Sequence, residues 1–300
     1  MKLSSSRVAL AGCGSIARAH ANAIGASGLV ALCDPNLASA QRLRDEIGTP
    51  IPVFPSLEEA LRGQNPDVVV VCTPPTTHFD LVRAALESGA DDALALGELA
   101  RHNNRTLRTA AKYRFCEGVQ AAKTLTESGE SGDLIEVRIA FGSAFDYANS
   151  WHSNPSLSGG GVWMDNGPHS LDLARYFAGD LKLVSLEEWR TCGPLELETE
   201  IGARFDSSLG AHVEIELSWE RSLGDFARLR FARGILEIGW RETRWRENGQ
   251  APRVLAGAYD KSACFAGNWN GFLCNDARCQ AEDGTRVVEL LEAVFEAARR

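Results

Sequence analysis

Residues 7–24, RVALAGCGSIARAHANAI, carry the local pattern that indicates the fold most clearly. This stretch opens with a short apolar run typical of a buried strand and ends in a segment with the composition of a helix. Between the two lies Gly12-Cys13-Gly14-Ser15-Ile16-Ala17, which follows the pattern G-x-G-x-x-A. A strand, a glycine turn and a helix in this order predict the start of a dinucleotide-binding domain.

The residue types of this turn suit a pyrophosphate. Gly12 permits a tight turn, and Gly14 lets the backbone approach the phosphates. Ala17 allows close packing of the helix, whose N-terminus attracts anions. Ser15 and Ile16 complete the predicted cofactor contact. The motif alone is weak evidence, because glycine turns also join strands to helices without any ligand.

Asp34 ends the second predicted strand, GLVALCD (28–34), about 20 residues after the turn. A carboxylate there holds the ribose 2′-hydroxyl of NAD and repels the 2′-phosphate of NADP. NAD is therefore the expected cofactor, with NADP as the alternative. A turn or helix-capping role of Asp34 before Pro35 is the competing interpretation.

A third strand, NPDVVVVCTPP (65–75), and a long helix, TTHFDLVRAALESGA (76–90), continue the alternation. Near-continuous valine runs predict a doubly wound parallel sheet of the Rossmann type, covered on both faces. Ligands bind at the carboxyl ends of such strands, where Thr73 and Pro74 stand. His78 follows in the first turn of the helix, as a cofactor contact or as a capping neighbour.

The pattern changes after RTLRTAAKYRF (105–115), which predicts one more strand. We therefore expect a dinucleotide-binding domain over residues 1–115 and a second domain over residues 116–300. From residue 181 onward the pattern is mostly one of alternating strands, followed by a final helix, GTRVVELLEAVFEAARR.

A hairpin is expected over residues 212–231. Pairing Glu216 with Arg228 and Glu214 with Arg230 also aligns the apolar residues of both strands. A slip of one residue would disturb both faces, so this register is the predicted one.

The stretch GGGVWMDNGPHSLD, residues 159–172, is the richest in chemistry. We expect Asp165 or Asn166 to cap a helix with Pro168 in its first turn. His169 would then lie about one turn from Asp165 near the positive end of the helix dipole, which disfavours protonation and suits proton exchange with a hydroxyl. A capped helix with a satisfied, partly buried histidine is the alternative. A metal held by these two residues and His152 would lack a recognised ligand spacing, so no metal is expected.

The composition of the chain argues against several classes of partner. A net charge of -9 and a pI near 5.3 argue against nucleic acid or an anionic membrane as partner. No apolar run approaches the roughly 20 residues that a bilayer requires, and the N-terminus does not resemble a signal peptide. The 8 cysteines are scattered, which favours reduced thiols in a cytoplasmic protein.

Several stretches, in this order, resemble the Gfo/Idh/MocA family of glucose–fructose oxidoreductase and inositol dehydrogenase-like enzymes. They are AGCGSIARAHANAI, CDPN, VCTPPTTHFDLVRAALESGA, KYRF, ESGESGDLIEVR and GGGVWMDNGPHSLDLARYF. The resemblance implies a Rossmann domain followed by an α/β domain with an open, mostly antiparallel sheet. It also implies hydride transfer between NAD or NADP and a hydroxyl or ketone of a sugar, inositol or related polyol.

The resemblance assigns roles to individual positions. It places Asp165 and the catalytic His169 at the reacting centre, and Tyr113, Arg114 and Trp151 on the substrate side. It assigns the cofactor to Gly12, Gly14, Ser15, Ile16, Ala17, Asp34, Thr73, Pro74 and His78. Homo-oligomers are common among the proteins that it resembles, so a homo-oligomer is expected.

One feature of that family is missing. Its members usually carry a buried strand that ends in Glu-Lys-Pro, and the lysine is the usual partner of the catalytic histidine. Here Ala90-Asp91-Asp92-Ala93 runs directly into a helical stretch, as if the strand were deleted, and no lysine lies between Lys2 and Lys112. Lys112 is the nearby candidate substitute, although the sequence does not say where it points. The alternatives to a dehydrogenase are a nucleotide-binding protein without turnover and an NAD-dependent glycoside hydrolase.

Overall fold

The computed structural model describes residues 6–86, 100–192, 196–224 and 226–300. They form two compact units. Unit 1 contains the described residues up to Ala110 together with Phe265–Glu282, and unit 2 contains Ala111–Cys264 together with Asp283–Arg300. Among the described helices, none combines the length and the apolar character that crossing a bilayer requires.

Unit 1 alternates strands and helices. In chain order it contains β1 (Val8–Ala11), α1 (Ser15–Ile24), β2 (Leu29–Cys33), α2 (Leu37–Ile47), β3 (Val53–Phe54), α3 (Leu57–Gln64), β4 (Val68–Val71) and α4 (His78–Leu86). The strands form a parallel sheet in the order β3-β2-β1-β4. Val8 and Leu10 pack into one apolar cluster and Ala9 and Ala11 into another, so both faces of the sheet are covered and the doubly wound fold is confirmed.

The strand predicted over residues 105–115 is wrong. Arg108 forms only an isolated bridge with Gln280, and Lys112–Phe115 form a short 3₁₀ helix. Within this 3₁₀ helix, Arg114 is turned inward towards two carboxylates. The expected deletion at Ala90–Ala93 lies outside the described residues. In the part of the chain that is described, β4 is the last strand on its side of the sheet.

Unit 2 is built on a large sheet. Its elements are α5 (Glu117–Glu127), β5 (Leu134–Gly142), α6 (Pro155–Ser158), α7 (Val162–Ala178), β6 (Leu181–Cys192), β7 (Leu197–Ser207), β8 (His212–Ser218), β9 (Ala227–Phe231), β10 (Gly234–Ile238), β11 (Thr243–Glu247), β12 (Arg253–Ala256), α8 (Lys261–Leu273) and α9 (Ala281–Ala298). The sheet has the order β12-β11-β10-β9-β5-β8-β7-β6, in which β5 and β8 are the one parallel pair. The expected open, mostly antiparallel sheet is confirmed.

Helix α8 was not expected from the sequence. It contains Gly267, Asn268, Asn270 and Gly271, which are poor helix formers, so its composition conceals it. The change from unit 2 to unit 1 falls between Cys264 and Phe265, within this helix.

The predicted pairing of β8 with β9 is wrong, although the faces are right. Strand β5 lies between the two, so that Val137 pairs with Val213 on one side and Leu229 on the other. All three side chains are buried. Apolar and polar residues alternate along β5 in the same way as along β8 and β9, so β5 can pair with either strand. The connection between β8 and β9 is also too long to require a tight hairpin.

The ionic partners on the outer face change with the strand order. Glu216 pairs with Arg138, and Arg230 pairs with Glu136. Strand β5, which the hairpin register left out, thus neutralises two of the four charges expected to pair across a hairpin. Of the other two, Glu214 pairs with Arg204 of β7 and Arg228 with Glu237 of β10.

The start of α7 also differs from the expectation. The helix begins at Val162, so Asp165 and Asn166 lie inside it and do not cap it. Pro168 is an interior residue, and His169 lies two turns from the N-terminus. The real cap is a side chain from another element, which a local sequence pattern cannot reveal.

That cap is Glu198, a buried residue of β7. Its Oε1 accepts a hydrogen bond from the Gly161 N–H at 2.6 Å. A Cβ on Gly161 would lie 2.0 Å from the Glu198 carbonyl oxygen, so only glycine allows this approach. The glycine loop is thus tightly folded, and it fixes where α7 begins.

Replacing Gly161 by alanine should lower the free energy of unfolding by about 1–3 kcal/mol or more, because the new methyl group overlaps the β7 backbone. Gly257→Ala is the matched control, since no atom lies within 4 Å of its added Cβ. Urea unfolding followed by circular dichroism measures both. Equal unfolding midpoints for the two variants would contradict the importance of this contact.

Candidate active site

The glycine turn of unit 1 has the geometry that a dinucleotide requires. Gly12 has a φ of +89°, and a Cβ on it would lie 2.7 Å from the Cys72 carbonyl oxygen. Nothing lies within 4 Å of a Cβ on Gly14, so this position is open. No side chain caps α1, and its first turn holds no acidic residue, which leaves its N–H groups for an anion. Ala17 is fully buried, as close packing of the helix requires.

Asp34 lies at the end of β2, beside this turn. Its Oδ2 accepts from the Cys13 N–H at 2.9 Å and its Oδ1 from the Asn36 N–H at 2.8 Å. The carboxylate thus forms a local turn and also holds the glycine loop in place. Each oxygen keeps a further lone pair, so these contacts leave room for a ribose hydroxyl.

The predicted residues after β4 lie together. The Thr77 hydroxyl donates to the Thr73 hydroxyl oxygen at 2.7 Å or to the Pro74 carbonyl oxygen at 2.8 Å. His78 Nε2 lies 2.7 Å from the Thr73 carbonyl oxygen, which fixes the proton on that nitrogen. Because β1, β2 and β4 are parallel, their carboxyl ends bring these groups, Asp34 and the glycine turn to one edge of the sheet. The exposed Ser15 and Ile16 lie at the same edge, and together these residues fit a dinucleotide.

A second cluster lies within unit 2. Lys112, from the 3₁₀ helix, places its Nζ 3.5 Å from Nε2 of His169 on α7. The ring of Tyr113 meets the His169 ring edge to face, with centroids 5.3 Å apart, and the Lys112 ammonium lies 5.1 Å from the Tyr113 ring centroid. Two titratable side chains from different elements thus share one apolar wall.

Burial controls the protonation of this pair. It lowers the pKa of Lys112 to about 8, assisted by the nearby charge of Lys261 and opposed by Asp165. It also lowers the pKa of His169 to about 3, again assisted by a like charge, that of Lys112. The low pKa expected for His169 was therefore right in direction but wrong in cause, since the helix N-terminus is two turns away.

Asp165 is oriented by residues outside α7. The Trp219 indole N–H donates to its Oδ2 at 3.4 Å, and His152 Nε2 lies 3.7 Å from its Oδ1. His152 is held by the Ser150 hydroxyl at 2.9 Å and stacks on the exposed Trp151. The alternating pattern of β8 placed Trp219 in the core and gave no sign of its contact with Asp165.

Arg114 is buried. Its guanidinium group makes two bonds to Asp172 of α7, at 3.1 and 2.6 Å, and one to Asp283 of α9, at 2.7 Å. These ion pairs connect the 3₁₀ helix that carries Lys112 to α7, which carries His169. Arg114 therefore positions the 3₁₀ helix, and with it Lys112, relative to α7.

The expectation that all cysteines are reduced thiols is wrong for two of them. Cys116, which directly follows the 3₁₀ helix, forms a disulfide with Cys264 of α8. Cys13, Cys33 and Cys72 are free thiols near the glycine turn, and burial raises the pKa of each to about 12. Among the residues that the structure describes, no group of three or more potential metal ligands comes together.

The chain has a Rossmann unit whose glycine turn is open to a pyrophosphate, and then an α/β unit that contains the Lys112–His169 pair. This combination is typical of enzymes that use a dinucleotide cofactor. Two profiles of one family match the chain. The "Oxidoreductase family, NAD-binding Rossmann fold" profile covers residues 6–94, and the "GFO/IDH/MocA C-terminal domain" profile covers residues 119–237. The chain belongs to the GFO/IDH/MocA family of NAD-binding oxidoreductases.

Individual relatives agree with the family. D-xylose 1-dehydrogenase (NADP(+)) 2 of Haloferax volcanii is 25% identical over 297 residues, which cover 89% of each chain. D-glucoside 3-dehydrogenase of Escherichia coli is 31% identical over 193 residues, 58% of this chain and 54% of the relative. An oxidoreductase from Agrobacterium radiobacter, solved with NAD+, L-tartaric acid and magnesium, has the same fold, with a TM-score of 0.81 at 19% identity over 99% of this chain and 97% of that one.

Replacing Arg114 by methionine should lower the free energy of unfolding by about 3–5 kcal/mol, because the buried Asp172 would lose its ion-pair partner and Asp283 would keep only Arg175. Arg230→Met removes an exposed pair with Glu136 and should cost less than about 1 kcal/mol. Thermal unfolding of both variants checks this. An Arg114 variant as stable as the Arg230 variant would contradict the positioning task.

Proposed function

We propose that the chain oxidises a secondary hydroxyl of a sugar or polyol by hydride transfer to NAD, and catalyses the reverse reduction. The observation that carries this proposal is the Lys112–His169 pair, with Asp165 one helical turn from the histidine. Such a group of proton-exchanging and hydrogen-bonding side chains suits a hydroxyl that becomes a carbonyl.

The bound nicotinamide supplies the hydride acceptor. This chain's own residues have the remaining tasks. Gly12, Gly14 and the N-terminus of α1 hold the pyrophosphate, and Asp34 holds the ribose. Asp165, kept in place by Trp219, binds a substrate hydroxyl, and Tyr113 lines the place where the substrate binds. Trp151 is the outermost of the proposed substrate contacts, because it is exposed.

A preference for NAD over NADP belongs to the proposal. The Asp34 carboxylate is fixed by two backbone N–H groups, so it cannot easily turn away from an incoming 2′-phosphate. Repulsion between these negative groups disfavours NADP.

The relatives that act on xylose and on glucosides support a sugar hydroxyl as the reacting group. They do not favour the two alternatives, a nucleotide-binding protein without turnover and an NAD-dependent glycoside hydrolase. Division at residue 115, a cytoplasmic location and a homo-oligomeric state stay predictions from the sequence.

Asp34→Ala should weaken NADH binding about 10- to 100-fold, the loss expected for one or two hydrogen bonds to a charged group. Asp45→Ala, on the exposed side of α2, should bind NADH as the unaltered protein does. Fluorescence titration with NADH and NADPH measures both affinities. Tighter binding of NADPH than of NADH would contradict the cofactor preference, and binding of neither by the folded protein would contradict the oxidoreductase proposal.

A turnover screen with pentoses, hexoses, glucosides and inositols then identifies the substrate class. His169→Ala is its control and should lower the rate, since it removes one member of the Lys112–His169 pair on which the proposal rests.

A further inference from the structure

The family lysine that the sequence lacks leaves the proton of the substrate hydroxyl without its usual acceptor. Oxidation of a secondary alcohol releases one hydride and one proton, so the chain must provide a group that takes the proton. The candidates within unit 2 are the titratable side chains around His169. They are His169 and Asp165 of α7, Lys112 and Tyr113 of the 3₁₀ helix, Lys261 of α8 and the nearby Tyr259 and His152.

His169 itself is a poor proton acceptor here. Its imidazole is half-buried and lies against the edge of Tyr113 and the Lys112 amine, so a proton on it would sit beside a second cation. Burial and this like charge keep its pKa near 3, far below neutral pH. Asp165 is about a third exposed and already accepts from Trp219, which makes it a binding group more than a base.

We propose that Lys112 is the catalytic residue that takes the proton of the substrate hydroxyl, and that neutral His169 positions its amine. This inference rests on the proposed function. In the oxidation, the O–H bond breaks and its electron pair forms the carbonyl π bond. The hydride leaves the carbon for the nicotinamide, and the proton bonds to the Nζ lone pair, which turns the amine into an ammonium group. The ammonium group then releases this proton to water.

The geometry allows the same hydrogen bond in both states of the lysine. A neutral amine keeps two N–H bonds and an ammonium group has three, so His169 Nε2 can accept from Nζ before and after the transfer. In the neutral amine, the Nζ lone pair is the proposed acceptor of the hydroxyl proton. An amine with a pKa of about 8 can exchange a proton near neutral pH, whereas an exposed lysine cannot.

Two contacts keep Lys112 in place. Arg114, two residues on, is bound to Asp172 of α7, and the Cys116–Cys264 disulfide joins the end of the 3₁₀ helix to α8. Lys261 lies on α8 three residues before Cys264, so the same link holds a positive charge near Lys112. This charge disfavours the ammonium form of Lys112.

The first test needs no turnover. The chain has only five lysines, Lys2, Lys112, Lys123, Lys182 and Lys261, so NMR of protein labelled at lysine ¹³Cε gives few signals. One signal should titrate near pH 8 and should be missing in Lys112→Met. In Lys261→Met the same signal should titrate at a higher pH. If every lysine signal titrates above about pH 10, the ordinary lysine range, the proposal is overturned.

The second test uses turnover of a substrate found in the screen. The oxidation rate should rise with pH through about 8, because the amine form is the active one, and the reduction rate should fall over the same range. Lys112→Met should lose about 10²- to 10⁴-fold in kcat. Lys112→Arg should lose as much, because arginine keeps the charge but cannot give up its proton. Lys182→Met, on the exposed side of β6, should be unchanged.

The outcomes separate the two proposals. A protein that turns over none of the substrates contradicts the proposed function. Turnover that survives in Lys112→Met or Lys112→Arg, with the rise near pH 8 retained, contradicts only the assignment to Lys112. His169→Gln should shift the pH midpoint and retain more activity than Lys112→Met, as expected for a positioning residue. The reverse order of activities would overturn the division of tasks.

Discussion

The two ion pairs that buried Arg114 forms with Asp172 and Asp283 determine how Lys112 and His169 are placed. They fix a short 3₁₀ helix against the middle of α7, and the distance between Lys112 and His169 follows from them. Buried charges are tolerated only when they are paired, so the side chains have little freedom to separate. Glu198 adds a second fixed point by setting where α7 begins. Together they hold the Lys112 amine and the His169 imidazole near each other, beside the ring of Tyr113.

The nucleotide-binding half was largely predictable from the sequence. The order of strand, glycine turn and helix is a local pattern, and the valine runs report burial on both faces. Gly12, Gly14, Ala17 and Asp34 stand where that pattern placed them. Even here, the local pattern did not show that the Asp34 carboxylate holds the glycine turn and still keeps lone pairs for a ribose hydroxyl.

The second half was less predictable because its decisive contacts join residues far apart in the sequence. The alternation of β8 and β9 gave the right faces, but it could not show that β5 lies between them. The cap of α7 comes from Glu198, 37 residues further along the chain, so the local motif suggested the wrong first residue. His169 and Asp165 were expected from the motif, whereas the direction of Lys112 and the contact of Trp219 with Asp165 depend on tertiary packing.

Phe265–Glu282 belong to unit 1, although most of unit 2 precedes them in the sequence. This arrangement affects the order in which the two units can fold during synthesis. Phe265 packs edge to face on His20, Trp269 packs against the apolar cluster around β1, and Gln280 bridges Arg108. During synthesis the strands of unit 1 leave the ribosome first. The contacts with Phe265–Glu282 can form only after almost the entire chain has emerged. A nascent chain that stops before this segment would therefore expose apolar surface of its first unit, and the two halves cannot be exchanged between relatives at a single cut.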